Sequence, residues 1–413
     1  MRKIIAGLDI GDAWIKLIVG EIVKDKLCVL SCSEVASRGI KQGFVVNPES
    51  TIEALEEVFK KAEETLGIKP NKVIVNIPCN GAESFMTEGF VSVDAEDKTI
   101  TNKDILKVLK TATNKKYDDS YELVTVMPTK YRLDDTTTVK NPIGLKADKI
   151  DVKAVAVIVP KKNIAAIAKC LEKINVKIVD ICLGPIADYY CFEESDYKSV
   201  VGAVVNIGDA KTEVSIFNKG ILTNCEVIDI GGERIDYDLS YVFKISRRDA
   251  VYLKEGMCLA DKKLAVVTET MNFTDRNREQ IKINQYDATE IVEARIDEIL
   301  NLIKKQINLL TKKEISYIII TGGVTETGEF KSLANKKFKN LIIGEVTEIG
   351  ARNNKYSTAL GLIKYYDNKM KFRNKDFSIF TVEEQEEFSG INKKVNISEN
   401  SILGKLFGYF FDN

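Results

Sequence analysis

Asp9-Ile10-Gly11-Asp12-Ala13 occurs twice in this sequence, the second time as Asn206-Ile207-Gly208-Asp209-Ala210. Each copy lies between two apolar runs, so we predict a strand, a tight turn and a second strand at both places. The strands are expected over residues 4–10 and 14–22, and again as a pair within 200–220. Because the same element begins two stretches of mixed strand and helix, the sequence predicts two similar α/β lobes.

Both turns are suited to bind phosphate. Gly11 and Gly208 permit a tight turn whose backbone N–H groups can form an anion nest, and Asp9 at a strand end can hold hydrated Mg²⁺. A third turn, Gly322-Gly323, follows a strand predicted over 317–320 and precedes a helix predicted over 326–337; its glycines would let the backbone approach adenine or ribose. Together the three turns resemble the actin-type ATPase fold, which holds nucleotide between its lobes.

Composition excludes several classes of function. The 413 residues exceed one ordinary core, and 45% apolar with 29% charged residues fits a soluble globular protein. Lys and Arg (60) balance Asp and Glu (61), which argues against a nucleic-acid binder. Without histidine, a Ser-His-Asp triad, a Cys-His nucleophile and an HExxH zinc site are excluded.

Cysteine usage and hydropathy place the chain in the cytoplasm. The eight cysteines form no CxxC pair, as expected for small buried side chains in a reducing compartment rather than a metal site. Asp9 interrupts the first apolar run too early for a signal peptide, and no apolar run is long enough for a spanning helix.

Several motifs narrow the assignment within the actin-type superfamily. They are Arg38-Gly39-Ile40-Lys41-Gln42-Gly43-Phe44-Val45-Val46-Asn47 before a helix at 48–66, Val126-Met127-Pro128, Tyr131-Arg132-Leu133-Asp134, Asn141-Pro142-Ile143-Gly144, Leu183-Gly184-Pro185-Ile186-Ala187, Ile230-Gly231-Gly232-Glu233-Arg234-Ile235 and Thr321-Gly322-Gly323. These motifs resemble the bacterial cell-division protein FtsA family, in order, from residue 1 to about 365, and the final segment resembles it as well.

The resemblance implies an actin-like two-lobed fold with an inserted subdomain. The first lobe comprises 1–83 and 167–199, and the insert comprises 84–166. The second lobe comprises 200–367, with an outer subdomain at about 232–310. Residues 84–166 predict a small α+β unit: strands at 85–93, 121–128 and 150–159 with helices at 102–113 and 162–174. An ordinary surface insertion is the alternative.

The resemblance also implies Mg²⁺ and ATP in the cleft. The candidate cofactor-binding residues are Asp9, Gly11, Asp12, Asn206, Gly208, Lys211, Gly231, Gly232, Lys254, Gly322 and Gly323. Several positions depart from the family pattern: Asp12 replaces Thr or Ser, Asn206 replaces Asp, Asp209 replaces Gly, and Asp236 replaces Thr.

A carboxylate close to phosphate costs about 4 kcal/mol at ~4 Å and an effective dielectric near 20. We therefore predict weakened ATP binding and no hydrolysis, with Lys211 either compensating in part or solvated at the surface. The alternative is an active actin-fold ATPase or kinase that binds Mg-ATP.

The last part of the sequence changes in character. Residues 368–400 are polar and are predicted to form a flexible linker. Over 401–413 a helical period places Ile402, Leu403, Leu406, Phe407, Phe410 and Phe411 on one side. This pattern predicts an amphipathic helix that lies in a membrane surface; the alternative is a terminal helix packed on the protein's own core.

The resemblance implies a function in cell division. It implies a peripheral protein at the cytoplasmic face of the membrane that anchors the FtsZ ring, self-assembles into filaments and meets later division proteins. The FtsZ-binding surface would lie in the outer subdomain, where Arg234, Arg247 and Arg248 are either partner contacts or ordinary surface charges. A helix at 288–310 is expected to face the core.

Overall fold

The computed structural model describes residues 2–114 and 117–385. Its strands are β1 Lys3–Ile10, β2 Trp14–Val23, β3 Lys26–Ala36, β4 Ile40–Lys41, β5 Phe44–Val45, β6 Lys72–Ile77, β7 Glu83–Ser92, β8 Tyr121–Leu133, β9 Thr137–Val139, β10 Lys149–Pro160, β11 Lys177–Leu183, β12 Val201–Ile207, β13 Thr212–Asn218, β14 Ile221–Ile228, β15 Thr270–Thr274, β16 Gln280–Asn284, β17 Tyr317–Thr321 and β18 Leu341–Ile343. Its α-helices are α1 Pro48–Leu66, α2 Asn102–Thr113, α3 Lys162–Lys173, α4 Gly184–Cys191, α5 Gly232–Val242, α6 Arg247–Met257, α7 Gln285–Leu310, α8 Phe330–Asn335 and α9 Ser357–Phe372.

Each lobe is built on a five-stranded sheet that contains one of the two repeated elements. The orders are β11-β6-β1-β2-β3 in the first lobe and β14-β13-β12-β17-β18 in the second. In both, an antiparallel pair (β1–β2 and β12–β13) continues into a parallel neighbour (β6 and β17). The predicted duplication of one strand-turn-strand unit is therefore confirmed.

Two helices lie between the sheets and share one core with both. Helices α4 and α9 contribute Ile186, Leu360 and Ile363 to a buried cluster that also contains Ile18 of the first sheet and Ile319 of the second. Helices α1 and α3 cover the opposite face of the first sheet, and α7 covers the opposite face of the second. The arrangement is a pair of α/β layers that meet at α4 and α9.

The inserted unit is a separate small sheet. Its order is β7-β10-β8-β9, and α2 covers one face around Val108, Ile150 and Val152. A capping box between Thr101 and Asp104 begins α2 at the predicted residue. The prediction of a compact α+β unit, rather than an irregular surface insertion, is confirmed.

Three predicted boundaries are wrong because distant contacts override local sequence character. The insert's predicted end at residue 166 divides helix α3, which begins at Lys162 and packs Ile167 and Leu171 into the first lobe's core. Helix α9, assigned to the second lobe and the linker, packs on β1 and α4. Residues 368–385 are not linker: 368–372 belong to α9, and Ile379 and Phe380 are fully buried against the first sheet.

Two further elements differ in length from the prediction. Strand β8 continues past Pro128 to Leu133, because Pro128 falls at a register shift against β10 and the pairing resumes beyond it. The helix predicted at 326–337 is a short 3₁₀ turn, Gly323–Glu326, followed by α8, because Gly328 and left-handed Glu329 separate them. No helix within the described ranges is both long and apolar enough to cross a membrane.

Candidate functional site

The repeated turns face one another across a cavity of about 500 Å³. Ten of the eleven predicted cofactor-binding residues line this cavity: Asp9, Gly11, Asp12, Asn206, Gly208, Lys211, Gly232, Lys254, Gly322 and Gly323. Gly231 lies directly behind it, against Gly208 and Asp209. The structure thus brings together residues from three distant parts of the chain, as predicted; their role in binding a cofactor stays a prediction.

The two repeated turns are closed by the same hydrogen bond. The N–H of Gly11 donates to the carbonyl of Trp14 over 3.0 Å, and the N–H of Gly208 donates to the carbonyl of Lys211 over 3.0 Å. Gly322 has a φ of +99°, and a Cβ there would lie 2.4 Å from the carbonyl oxygen of Ile207. Glycine is therefore required because two turns touch, whether or not a flat ligand approaches it.

The lysines that line the cavity are each paired with a carboxylate. Their pairs are Lys16–Asp9 at 2.9 Å, Lys211–Glu213 at 2.8 Å, Lys254–Asp236 at 2.7 Å and Lys355–Glu34 at 2.8 Å. Asn76 also donates to Asp9, over 2.8 Å. Each of these lysines is thus already paired with a carboxylate of the protein. The carboxylate of Asp9 is bound by the Asn76 amide and the Lys16 ammonium group.

Asp12 and Asp209 have no ion-pair partner within 4 Å among residues 2–114 and 117–385. The carboxylate of Asp12 accepts a hydrogen bond from the N–H of Gly43 over 3.0 Å, and burial raises its pKa although backbone donors and Lys211 act in the opposite direction. Burial raises the pKa of Asp209 to about 6, and the nearby carboxylates of Asp236, Glu233 and Asp12 add to the effect. The two repeated turns therefore carry half-buried acids without an ion pair, and the more distant charges of Lys211 and Lys254 lower their pKa values only in part. Their negative charge would oppose a triphosphate placed against the turns.

Asn206 links the lobes. Its amide donates to the carboxylate of Asp188 over 2.7 Å and to the hydroxyl of Thr358 over 3.2 Å. The hydroxyls of Ser357 and Thr358 donate to the other oxygen of Asp188 over 2.8 and 2.9 Å. The amide at position 206 thus joins β12 to α4 and to the start of α9, at a position where the family's pattern has a carboxylate.

Asp188 makes this junction pH-dependent. Complete burial raises its pKa to about 7, although three donors stabilise the carboxylate. Between about pH 4 and pH 7 the folded protein holds a proton that the unfolded chain has released, so this residue's contribution to stability falls as pH rises. The fall should total roughly 4 kcal/mol at 1.36 kcal/mol for each pKa unit.

We expect Asp188→Asn to gain stability relative to the parent as pH rises from 4 to 8. An amide can donate to the hydroxyls and accept from Asn206, so the junction is preserved without the buried charge. Urea unfolding followed by the fluorescence of Trp14 measures the difference at each pH. Asp367→Asn, which removes an ion pair with Lys371, is the control; an equal gain in that variant would contradict the assignment.

Sequence reasoning missed four residues that shape the cavity: Lys16, Asn76, Glu213 and Lys355. Two of them had a readable signal. Lys16 interrupts an apolar strand, and the antiparallel register sets it directly opposite Asp9; Glu213 occupies the equivalent position of the second repeat, opposite Asn206. Asn76 and Lys355 carried none, because β6 and the turn before α9 reach the cavity only through the tertiary fold.

The outer subdomain carries an exposed aromatic surface, which we call the α5–α6 patch. It comprises Tyr237, Tyr241 and Val242 on α5 with Arg247 and Tyr252 on α6. The exposed fraction of Tyr241 is 81% and that of Tyr252 is 63%. The guanidinium of Arg247 lies 3.5 Å from the centre of the Tyr237 ring. Clustered exposed aromatic residues with a held arginine are typical of a protein-binding surface.

Other predictions about the chain have mixed outcomes. Helix α7 faces the core, with Ile296, Ile299 and Ile303 fully buried. Five of the eight cysteines are buried, and Cys28 is exposed. Within the described ranges, Cys, Asp and Glu side chains form no cluster able to hold a metal ion. The amphipathic segment at 401–413 lies outside the described residues.

Comparison with known proteins places both parts of the chain in one family. Residues 203–361 match the family model "Cell division protein FtsA", and residues 80–158 match "SHS2 domain inserted in FTSA". Cell division protein FtsA of Bacillus subtilis is 28% identical over 88% of this chain and 83% of its own length. Cell division protein FtsA of Pseudomonas aeruginosa is 26% identical over 88% of this chain and 89% of its own.

Solved structures agree on the fold. The PilM-PilN type IV pilus biogenesis complex superposes with a TM-score of 0.56 at 14% identity, over 87% of this chain and 97% of that one. MreB5 of Spiroplasma citri bound to ADP gives a TM-score of 0.54 at 11% identity, over 90% and 98%. These identities show an actin-like fold and nothing further. With the inserted domain and the similarity along most of the chain, they lead to one conclusion: this protein belongs to the FtsA family of actin-like cell-division proteins.

Proposed function

We propose that this protein anchors the FtsZ ring to the cytoplasmic face of the membrane and self-assembles into actin-like filaments there. It acts as an adaptor at the division site, meeting later division proteins, and not as an enzyme. Membership of the FtsA family supports the role in division. The observation that carries the adaptor role is the α5–α6 patch, which offers an aromatic and cationic surface in the subdomain expected to bind FtsZ.

The chemistry of the patch favours an acidic peptide with apolar side chains. The rings of Tyr237, Tyr241 and Tyr252 offer apolar area with polar edges. Arg247 is stacked on Tyr237, so little side-chain entropy remains to be lost when a carboxylate binds it. A short FtsZ segment of that character would bury the rings and pair with the guanidinium.

The charges of the cavity support weakened nucleotide binding. Triphosphate would have to compete with Asp9, Glu213 and Asp236 for the lysines, and it would face Asp12 and Asp209 directly. We therefore infer that Mg-ATP binds weakly and is not hydrolysed.

An ATPase or kinase is the second candidate. The size of the cavity and the shared geometry of its two turns favour this reading. It would be supported by micromolar Mg-ATP affinity together with turnover.

Membrane attachment rests on the sequence of residues 401–413. Ile402, Leu403, Leu406, Phe407, Phe410 and Phe411 would enter the headgroup region and supply ~1.5–3 kcal/mol each if fully buried, less the cost of ordering. Filament formation would add affinity by multivalency.

Recruitment of FtsZ to vesicles tests the proposal. The full chain should bring FtsZ down with sedimenting vesicles, with or without ATP. Deletion of 401–413 should leave most of both proteins in solution. Arg247→Glu should keep this protein on the vesicles and reduce FtsZ recruitment at least tenfold, because charge reversal in a binding surface costs about 1.4 kcal/mol or more.

Arg352→Glu is the matched control, since its charge change lies outside the patch. Equal loss of FtsZ with both arginine variants would remove the patch from the proposal. Undiminished binding of the deleted chain to vesicles would contradict the membrane anchor. Turnover of ATP by the full chain would favour the enzyme instead.

A further inference from the structure

The edge of the first-lobe sheet opposite the cavity is strongly basic. Strand β1 ends at the cavity and begins about 23 Å away at ~3.3 Å per residue. Its register sets Lys3 beside Ile22, and β11 pairs Lys177 with Lys72. The turn between β2 and β3 lies at the same edge, as do the ends of α1, α3 and α9. We call this surface the basal face and define it by residues 2–3, 23–26, 67–72, 173–177 and 371–376.

The basal face carries a much larger excess of positive charge than the chain as a whole. Its five segments contain eleven Lys or Arg and two Asp, whereas the whole chain is balanced at 60 and 61. Acidic neighbours in adjacent turns reduce the excess without removing it: Glu63, Glu64, Glu172, Glu383 and Glu384.

Most cations of the basal face have no ion pair in the part of the chain that the structure describes: Lys24, Lys26, Lys69, Lys72, Lys173, Lys177, Arg373 and Lys375. Of these, Lys69 and Lys72 donate to backbone carbonyls. Arg2, Lys3 and Lys371 are different, because each pairs with a carboxylate. Stabilisation of helix C-termini by cations explains only some of these lysines and arginines. Lys173 lies in the last turn of α3, where a cation stabilises the helix dipole. Lys24, Lys26 and Lys177 lie in a turn or at the start of a strand.

The chain leaves the described structure at this same face. The N–H of Ile379 donates to the carbonyl of Ile4 over 2.9 Å, and the backbone N–H of Arg2 donates to the side chain of Gln385 over 3.1 Å. Residues 386–413, which include the amphipathic segment, therefore begin beside the basic surface. Val23, at the tip of the β2–β3 turn, is 43% exposed and adds an apolar side chain to the basal face.

From these observations we infer that the basal face is a second membrane contact, which binds anionic lipid headgroups while residues 401–413 enter the bilayer. The inference rests on the proposed membrane anchor, and it adds the lipid class and the orientation of the body. With the basal face on the membrane, the cavity points away from the lipid. Two weak signals together give the stable attachment that one short helix does not.

Vesicle flotation tests the inference with two matched variants of the full chain. The basal variant carries Lys→Gln at 24, 26, 177 and 375. The control variant carries Lys→Gln at 282, 305, 313 and 339, four exposed lysines of the second lobe. Both variants lose four charges, and both are checked by thermal melting before use.

Phosphatidylcholine vesicles are compared with and without phosphatidylglycerol. We expect the basal variant to bind phosphatidylglycerol vesicles at least about tenfold more weakly than the parent, since each lysine near an anionic surface contributes about 1 kcal/mol before screening. Its binding to phosphatidylcholine alone should not change. The loss should shrink as salt is raised, because headgroup attraction is screened.

Equal binding of the basal and control variants on phosphatidylglycerol vesicles would overturn the basal contact. Deletion of 401–413 is a separate arm. If that deletion leaves binding to both kinds of vesicle unchanged, the proposed membrane anchor fails, whatever the basal variant does. Residual, salt-sensitive binding of the deleted chain to phosphatidylglycerol vesicles, lost on adding the four basal substitutions, would support the basal contact by itself.

Discussion

Replacing the two acids of the cavity that lack an ion pair, by Asp12→Ser together with Asp209→Gly, is expected to raise the affinity for Mg-ATP at least a hundredfold. A carboxylate about 4 Å from a phosphate oxygen costs about 4 kcal/mol at an effective dielectric near 20, and two such contacts are removed. The turns themselves are retained, because their closing hydrogen bonds use the backbone of Gly11 and Gly208. Isothermal titration calorimetry with the purified parent and variant measures the change.

The pH dependence of binding gives an independent check on the same cause. Because the pKa of Asp209 is raised to about 6 by burial, this side chain is charged at pH 8 and becomes protonated as pH falls below 6. The parent should therefore bind Mg-ATP more tightly at pH 5.5 than at pH 8, and the double variant should lose this dependence. A triphosphate nearby would raise that pKa further, which strengthens the trend.

Glu279→Ser with Glu314→Ser is the control for net charge, since both residues are exposed in the second lobe. If the control gains as much affinity as the cavity variant, general electrostatics and not the turns would be responsible. Micromolar binding by the parent, with turnover, would contradict the weakened cavity.

Elements whose structure depends on neighbouring residues were predicted correctly from the sequence. Helix α1 was predicted from its first residue to its last. Asn47 caps its start, Pro48 occupies the first turn, and Gly67 ends it with a φ of +79°. The repeated turns were predicted as well, because a glycine between two apolar strands indicates a tight turn. These elements depend on residues near in sequence.

The predictions that were wrong concern segments whose structure depends on contacts with residues distant in sequence. Residues 368–385 are polar in composition, yet Ile379 and Phe380 fill a gap beside β1 that no local pattern announces. Likewise Lys254 was predicted to line the cavity, but its ion pair with Asp236 follows only from the tertiary fold. The predicted acids of the cavity were correct in place. Their neighbours, and therefore the charge balance, became visible only in three dimensions.

Gly361→Val is the second large effect that we expect, because α9 and α4 touch there. A Cβ on residue 361 would lie 1.9 Å from the carbonyl oxygen of Ala187, and backbone cannot move aside as a flexible side chain can. The helices would have to separate, which opens the core shared by the two lobes and pulls Thr358 from Asp188. We expect a loss of about 3 kcal/mol or more in the free energy of unfolding.

Gly361→Ala introduces only the Cβ and keeps the experiment informative if the valine variant does not fold. Gly256→Ala is the matched control, since that glycine lies within α6 and its Cβ would meet only the flexible end of Met271, at 3.3 Å. The control should be neutral or gain up to about 1 kcal/mol from helix propensity.

Urea unfolding followed by Trp14 fluorescence reports on the first lobe, and circular dichroism reports on the whole chain. If the lobes depend on the α4–α9 contact, both signals should shift together to lower urea in Gly361→Ala. An unshifted midpoint would mean that the lobes do not rely on this contact, and that the shared core tolerates a wider spacing than its geometry implies.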